Sequence, residues 1–190
     1  VPKYNEIRIT MLHFFRIFLL ILSVIFIAAC TSAPKKTGSS TLAPALVAKL
    51  KEMPLKSRLP IPVQHVQAKH LKDTWGASRS SGRTHEGIDI LAPRGTKVYS
   101  TTDGLIASLS PNNLGGNVIW ILGPSGSWHY YAHLKDHKRG LKVGDYVKKG
   151  DFIAYVGNTG NARHTAPHLH YGLYLNGKGR GAVNPFPYLR

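Results

Sequence analysis

The chain has 190 residues, enough for one folded domain once an unusual N-terminus is set aside. Its formal charge of +16 at pH 7 favours a polyanionic partner, and a single cysteine rules out an internal disulfide. Together these exclude a disulfide-stapled secreted module and leave a basic enzyme or binding domain.

Ile17 to Ala29 is an apolar run preceded by Lys3, Arg8, His13 and Arg16, the pattern of an export leader. It falls short of the roughly 20 residues that a spanning helix needs. Residues 1–29 are therefore expected to be a signal peptide, with Met11 offering an alternative start. Ile27-Ala28-Ala29-Cys30 resembles the lipobox of bacterial lipoproteins, which makes Cys30 the expected lipidation site and the membrane, reached through a lipid anchor, an expected partner. Thr31 rather than an aspartate follows the cysteine, compatible with the outer membrane, facing the periplasm, if the source is Gram-negative. Removing residues 1–29 leaves 22 basic against 8 acidic side chains. Export argues against nucleic acid as the polyanion and points to the polymers of a cell wall. Charge alone as the basis of binding would give an affinity that collapses with salt.

From 31 to 41 the chain is small, polar and basic, with nothing to bury, and reads as a flexible tether. Residues 42–53 are compatible with a short helix started by Pro44. Prolines 54, 60 and 62 then impose an extended lead-in. The segmentation is thus 1–29 leader, 30–59 lipidated cysteine, tether and short helix, and 60–190 the functional domain. Within that domain, runs rich in β-branched and aromatic residues recur at Lys97–Thr101, Leu105–Leu109, Asn117–Leu122, Trp128–Leu134, Phe152–Val156 and Leu169–Leu175, separated by Gly- and Asp-rich turns. The fold class expected is mostly β, an antiparallel sandwich or open barrel with a metal-bearing groove. Val118–Leu122, apolar throughout, reads as a central strand buried on both faces. Strand alternation sends His129, Tyr131 and His133 to one side and Trp128, Tyr130 and Ala132 to the other, so that the first set is a candidate cleft wall.

His168 and His170 are two apart on a strand and face the same way. Read with His85 and Asp89, some eighty residues earlier, they form a candidate metal site from two distant segments. Two neutral imidazoles and one carboxylate suit Zn²⁺, and a fourth position left to water makes such a site catalytic rather than structural. A rival reading takes His85-Glu86-x-x-Asp89 as an echo of the helical H-E-x-x-H motif with Glu86 as base. Gly87 inside the motif and the strand-like residues after it argue against the helix that reading requires. His164 reads as a loop residue, and His65, His70 and His137 lack supporting context.

Gly82-Arg-Thr-His85-Glu-Gly-Ile-Asp89, Gly115-Gly-Asn117, Tyr131-Ala-His133-Leu134 and Pro167-His-Leu-His170, in this order, resemble the lysostaphin-like, or LytM-type, zinc endopeptidases of peptidoglycan, over roughly residues 75 to 187. The resemblance implies that His85, Asp89 and His170 hold one Zn²⁺ per chain and that His133 and His168 are the catalytic pair. It also implies that peptidoglycan is the substrate, with Arg83, Asn117, His129 and Tyr131 as candidate groove residues. The D-alanyl cross-link is the favoured bond, because the lipobox and its sorting residue point to an enteric-type envelope. Residues 144–153 resemble the hairpin this family shares with lipoyl and biotinyl carrier domains and read as structural. The alternative function is a non-catalytic wall-binding regulator or an activator of cell-wall amidases, since fold alone does not imply activity. An unperturbed imidazole acting as the base would give activity that falls below about pH 6.

Overall fold

The computed structural model describes residues 42–190; the expected signal peptide (1–29), the expected lipidation site Cys30 and the expected tether (31–41) lie outside the described residues. Helix α1 (Pro44–Glu52) has proline in its first turn, where a missing N–H costs nothing, and Lys49 and Lys51 at its negative end. It buries Leu50 and docks on the turn Pro124–Gly126. There the Ser125 N–H and Oγ–H donate to the Met53 carbonyl at 2.8 and 3.1 Å, and the Leu55 N–H donates to Ser125 Oγ at 3.1 Å. The proline-rich lead-in is extended as expected, with Leu59 and Val63 bridging to Leu189 and Val98.

The described residues form nine strands: β1 (Ile88–Leu91), β2 (Lys97–Tyr99), β3 (Gly104–Ser108), β4 (Asn117–Leu122), β5 (Trp128–His137), β6 (Tyr146–Val147), β7 (Phe152–Val156), β8 (His168–Tyr174) and β9 (Ala182–Val183). They make one open sheet of antiparallel pairs, in the order β1-β8-β5-β4-β3-β6, with β7 on the far end of β5, β2 on β7 and β9 on β8. The expectation of a mostly β, antiparallel fold holds, as an unclosed sheet. Its core face is the in-pointing set of an alternating pattern: Ile88 and Ile90 on β1, Ile119 and Ile121 on β4, Tyr131 on β5, and Leu169, Tyr171 and Leu173 on β8 are all buried.

Strand β5 organises the molecule because it changes neighbours along its length. Trp128 to Ala132 pair with β8, whereas Leu134 and His137 pair with β7. The changeover falls at His133, which has φ +59°. On the β4 side the register slips by one between Ile119↔Tyr131 and Asn117↔Leu134, so β5 carries one extra residue there. This is a β-bulge, and bulges re-aim side chains next to active sites. The left-handed conformation is uncommon for a residue with a Cβ and stores strain at this position.

Candidate metal centre and cleft

The bulge corrects the alternation read from the sequence. His129 and Tyr131 point into the core and are fully buried, while Trp128 and Tyr130 lie on the opposite face. His133 would have followed His129 and Tyr131 inward. The extra residue turns it out instead, beside Tyr130 and Ala132, where all three line an open cleft of about 900 Å³. Trp120 also lines this cleft, so β4 is not buried on both faces as its uninterrupted apolar run implied. Trp120 stacks on its cross-strand partner Tyr130 with ring centroids 4.3 Å apart. The aromatic wall of the cleft is therefore Trp120, Tyr130 and Tyr174 rather than His129 and Tyr131.

On β8 the alternation holds. Leu169 and Tyr171 are buried in the core, and His168 and His170 both line the cleft. Asp89 on β1 is the direct cross-strand partner of His170, so the sheet register itself brings the carboxylate to the imidazole. His85 stands just before β1. Its Nε2 is 3.0 Å from Asp89 Oδ1 and 2.8 Å from His170 Nδ1, and His170 Nδ1 is 3.2 Å from Asp89 Oδ1. Bonds of 2.0–2.1 Å in a tetrahedron place donors about 3.3 Å apart, so this trio has the compass of a single zinc-sized ion.

Carbonyl partners fix the tautomers of His85, His133 and His168, because a carbonyl oxygen can only accept. His85 Nδ1–H donates to the Thr74 carbonyl at 2.6 Å, which leaves its Nε2 lone pair for a cation. Thr74 also holds Asp89 in place, its Oγ1 accepting from the Asp89 N–H at 3.0 Å. His133 Nδ1–H donates to the Thr159 carbonyl at 2.9 Å and His168 Nδ1–H to the Ala166 carbonyl at 2.8 Å. Both cleft imidazoles thus keep Nε2 unprotonated, with ring centroids 4.9 Å apart and His168 Nε2 3.9 Å from Asp89 Oδ1. A Cβ on Gly87 would lie 2.6 Å from the Tyr171 carbonyl and under 3 Å from the His170 ring, so only glycine leaves room for that ring.

Burial opposes ionisation of Asp89, but the hydrogen bonds and charges of His170 and His85 outweigh it and hold the carboxyl well below the usual carboxylate range. Burial, reinforced by the charges of His170 and His168, pushes His133 down to about 4. Burial also lowers His170, against the pull of Asp89. Asp89 is therefore held as a carboxylate while burial favours the neutral form of His133 and His170, and a carboxylate with imidazole nitrogens is a donor set suited to a divalent ion.

Among the other candidates, Arg83 lines the cleft, whereas Asn117 does not. The Asn117 side chain donates to the Lys135 carbonyl at 2.9 Å and its N–H to Thr159 Oγ1 at 2.9 Å, so it ties β5 to the loop that orients His133. Glu86 is exposed on the cleft rim and precedes a strand rather than lying in a helix, which removes the basis for the H-E-x-x-D reading. His164, His65 and His70 are exposed, and His137 donates through Nε2 to the Val118 carbonyl at 3.0 Å. Sequence reasoning missed Arg79, whose guanidinium donates to Asp89 Oδ2 at 2.6 Å, and the carbonyls of Thr74, Thr159 and Ala166. A carbonyl leaves no mark on residue type, and Arg79 is one of many basic residues until the fold sets it beside Asp89.

His129 is a structural residue. Ser127 Oγ–H donates to the Pro124 carbonyl at 2.7 Å, so Ser127 Oγ accepts from His129 Nε2–H at 3.1 Å, and His129 Nδ1 accepts from the Tyr171 hydroxyl at 2.8 Å. Burial pushes it down to about 3. The unfolded chain protonates this imidazole near pH 6.5 and the native state does not, so its contribution is complete above that pH and is lost progressively towards pH 3. Unfolding stability is expected to drop by about 2 kcal/mol between pH 7 and 5 on this account. Denaturant titrations of the parent and of His129→Gln at both pH values check it. An equal pH slope in the two proteins would refute the assignment.

A model of peptidase family M23 matches residues 83–185, more than half of the chain and the whole of the site apart from Thr74 and Arg79. The chain belongs to peptidase family M23. Similar proteins include an L-Ala–D-Glu endopeptidase of Bacillus subtilis, 39% identical over 127 residues (63% of this chain, 39% of that protein). A peptidoglycan DD-endopeptidase of Vibrio cholerae is 38% identical over 95 residues (50% of this chain, 21% of that protein). The chain thus spans about two fifths of the length of the first relative and a fifth of the second. The catalytic domain of lysostaphin from Staphylococcus simulans superposes with a TM-score of 0.57 at 33% identity, covering 64% of this chain and 93% of that domain. The open antiparallel sheet is therefore the M23 catalytic fold, with the His85, Asp89 and His170 trio in its cleft.

Proposed function

We propose that the chain is a zinc-dependent endopeptidase that hydrolyses a peptide bond of peptidoglycan, the D-alanyl cross-link being the bond cut. The observation that carries this reading is the convergence, in one open cleft, of a three-donor metal site with two imidazoles whose Nε2 atoms are free and whose Nδ1 atoms are pinned. A regulator that binds the wall without cutting it has no use for that arrangement. The peptidoglycan endopeptidases among its M23 relatives support the substrate class, and the DD-endopeptidase of Vibrio cholerae supports the bond.

His85 through Nε2, Asp89 through Oδ1 and His170 through Nδ1 would hold the ion, which supplies Lewis-acid polarisation of a carbonyl and lowers the pKa of water. The protein's own groups do the rest. One of the His133 and His168 Nε2 atoms accepts the proton of the attacking water. The other, once protonated, stabilises the tetrahedral oxyanion or delivers a proton to the leaving amine. Their hydrogen bonds to Thr159 and Ala166 fix both rings before substrate arrives, which lowers the cost of reaching the reactive geometry. Trp120, Tyr130 and Tyr174 give the cleft an aromatic side against which a substrate can pack.

Digestion of purified sacculi with the zinc-loaded chain, followed by mass spectrometry of the muropeptides, tests this directly. Cross-linked dimers are expected to become monomers with new amino groups, and a chelator is expected to abolish the reaction until zinc is restored. Scission between L-Ala and D-Glu would move the bond assignment. No scission by protein shown to hold zinc would overturn the hydrolase reading.

A further inference from the structure

The two oxygens of Asp89 do different work. Oδ1 faces the imidazoles of His85 and His170 at 3.0 and 3.2 Å, whereas Oδ2 accepts a charge-assisted hydrogen bond of 2.6 Å from the Arg79 guanidinium. The Asp89 side chain is only 23% exposed and that of Arg79 36%, so the pair is partly withdrawn from the screening that makes surface ion pairs weak. Arg79 reaches this position because it shares a hairpin with His85. His85 N–H donates to the Ala77 carbonyl at 2.9 Å, Gly76 N–H to the His85 carbonyl at 2.9 Å, and Arg79 N–H to the Arg83 carbonyl at 2.8 Å. Ser81 and Gly82, with φ +62° and +69°, close its tip. One hairpin thus delivers both an imidazole donor and a guanidinium to the same carboxylate.

We propose that Arg79 is a positioning residue of the metal centre. It occupies Asp89 Oδ2, so that Asp89 offers the ion one oxygen rather than two and the remaining coordination position stays open. This rests on the metallopeptidase reading above. A free carboxylate swings about its Cβ–Cγ bond and chelates through both oxygens, which would fill the position that catalysis needs. A guanidinium on one oxygen prevents that and fixes the other, the task outer partners of ligating carboxylates generally perform. Arg79 differs in this from Arg83, which lines the same cleft but spends an Nη2–H on Ser80 Oγ at 3.1 Å and does not touch Asp89.

The test uses the full chain with Arg79→Met and Arg79→Lys, loaded with zinc or with cobalt(II). Competition with a chromophoric chelator is expected to show zinc bound 10- to 100-fold more weakly by Arg79→Met, about the loss typical when an outer partner is removed, with part of it recovered in Arg79→Lys. The metal-free protein should remain folded, with a thermal midpoint lowered only by the loss of one partly exposed ion pair. In the cobalt form, Arg79→Met is expected to show weaker visible absorption than the parent, because a carboxylate free to chelate raises the coordination number above four. Zinc affinity in Arg79→Met within about threefold of the parent, or an unaltered cobalt spectrum, would overturn the proposal. Failure of the parent itself to bind either ion would instead sink the metallopeptidase reading, so the two failures are distinguishable.

Discussion

Replacing His170 with alanine is expected to cost the protein its metal and, with it, all measurable peptidase activity. His170 Nδ1 is one corner of a donor triangle whose other corners lie 2.8 and 3.2 Å away, and the neighbouring His168 Nε2, 3.9 Å from Asp89 Oδ1, lies outside that triangle. Loss of an outer partner costs 10- to 100-fold in metal affinity, so loss of a donor itself should exceed about 100-fold. The fold should survive, because the side chain points into the cleft while the core contacts of β8 are made by Leu169, Tyr171 and Leu173. Asp89 would lose an imidazole partner that helps hold its carboxyl ionised, and its pKa should move up towards the ordinary range. Metal analysis of the purified variant by inductively coupled plasma spectrometry decides the matter. Stoichiometric zinc in His170→Ala would show that the donor set lies elsewhere.

His133→Ala and His168→Ala should do the opposite, keeping zinc while losing roughly 10² to 10⁴ in rate, the usual span for a general acid or base. Neither residue belongs to the donor triangle, yet both present Nε2 to the cleft from rings pinned by backbone carbonyls. A second measurement separates chemistry from packing. With His133 pushed down to about 4, an acid limb governed by this residue should fall near pH 4 rather than near the 6.5 of an unperturbed imidazole. The sign follows from the base form, which persists above that pKa and is lost as pH drops through it. A parent-like rate in both variants would remove them from the mechanism, and loss of zinc in either would make it a ligand.

Much of the site could be read in the chain because its signals are local. His168 and His170 share a face through the two-residue period of a strand, and His85 and Asp89 stand four apart at the start of β1. Tyr130 and Tyr131 show where such reading runs out. Neighbours in sequence, they go to opposite faces, and alternation alone does not say which face is the core. Tyr131 is buried because Thr101 offers its hydroxyl partners, with the Thr101 N–H donating at 2.9 Å and Oγ1 lying 2.8 Å away, while Tyr130 meets Trp120 across the strand on the cleft side. An imidazole and a phenol looked like the polar lining of a groove and proved to be members of a buried, fully bonded network.

What the amino-acid sequence determined by itself was the β character of the domain and the set His85, Asp89, His168 and His170 as candidate donors, since strand periodicity and ligand chemistry are properties of short stretches. The choice of His85, Asp89 and His170 among them came from the family resemblance, and the fold gathers those three most tightly. Only the tertiary structure decided that His133 turns towards the cleft, that Arg79 reaches Asp89 and that His129 does not line the groove. His133 and His129 depend on partners far along the chain, Thr159 and Tyr171, and Arg79 on the path of its hairpin. The bulge at His133 falls where β5 passes from β8 to β7, and the orientations of His85 and His133 are set by the Thr74 and Thr159 carbonyls that other segments supply.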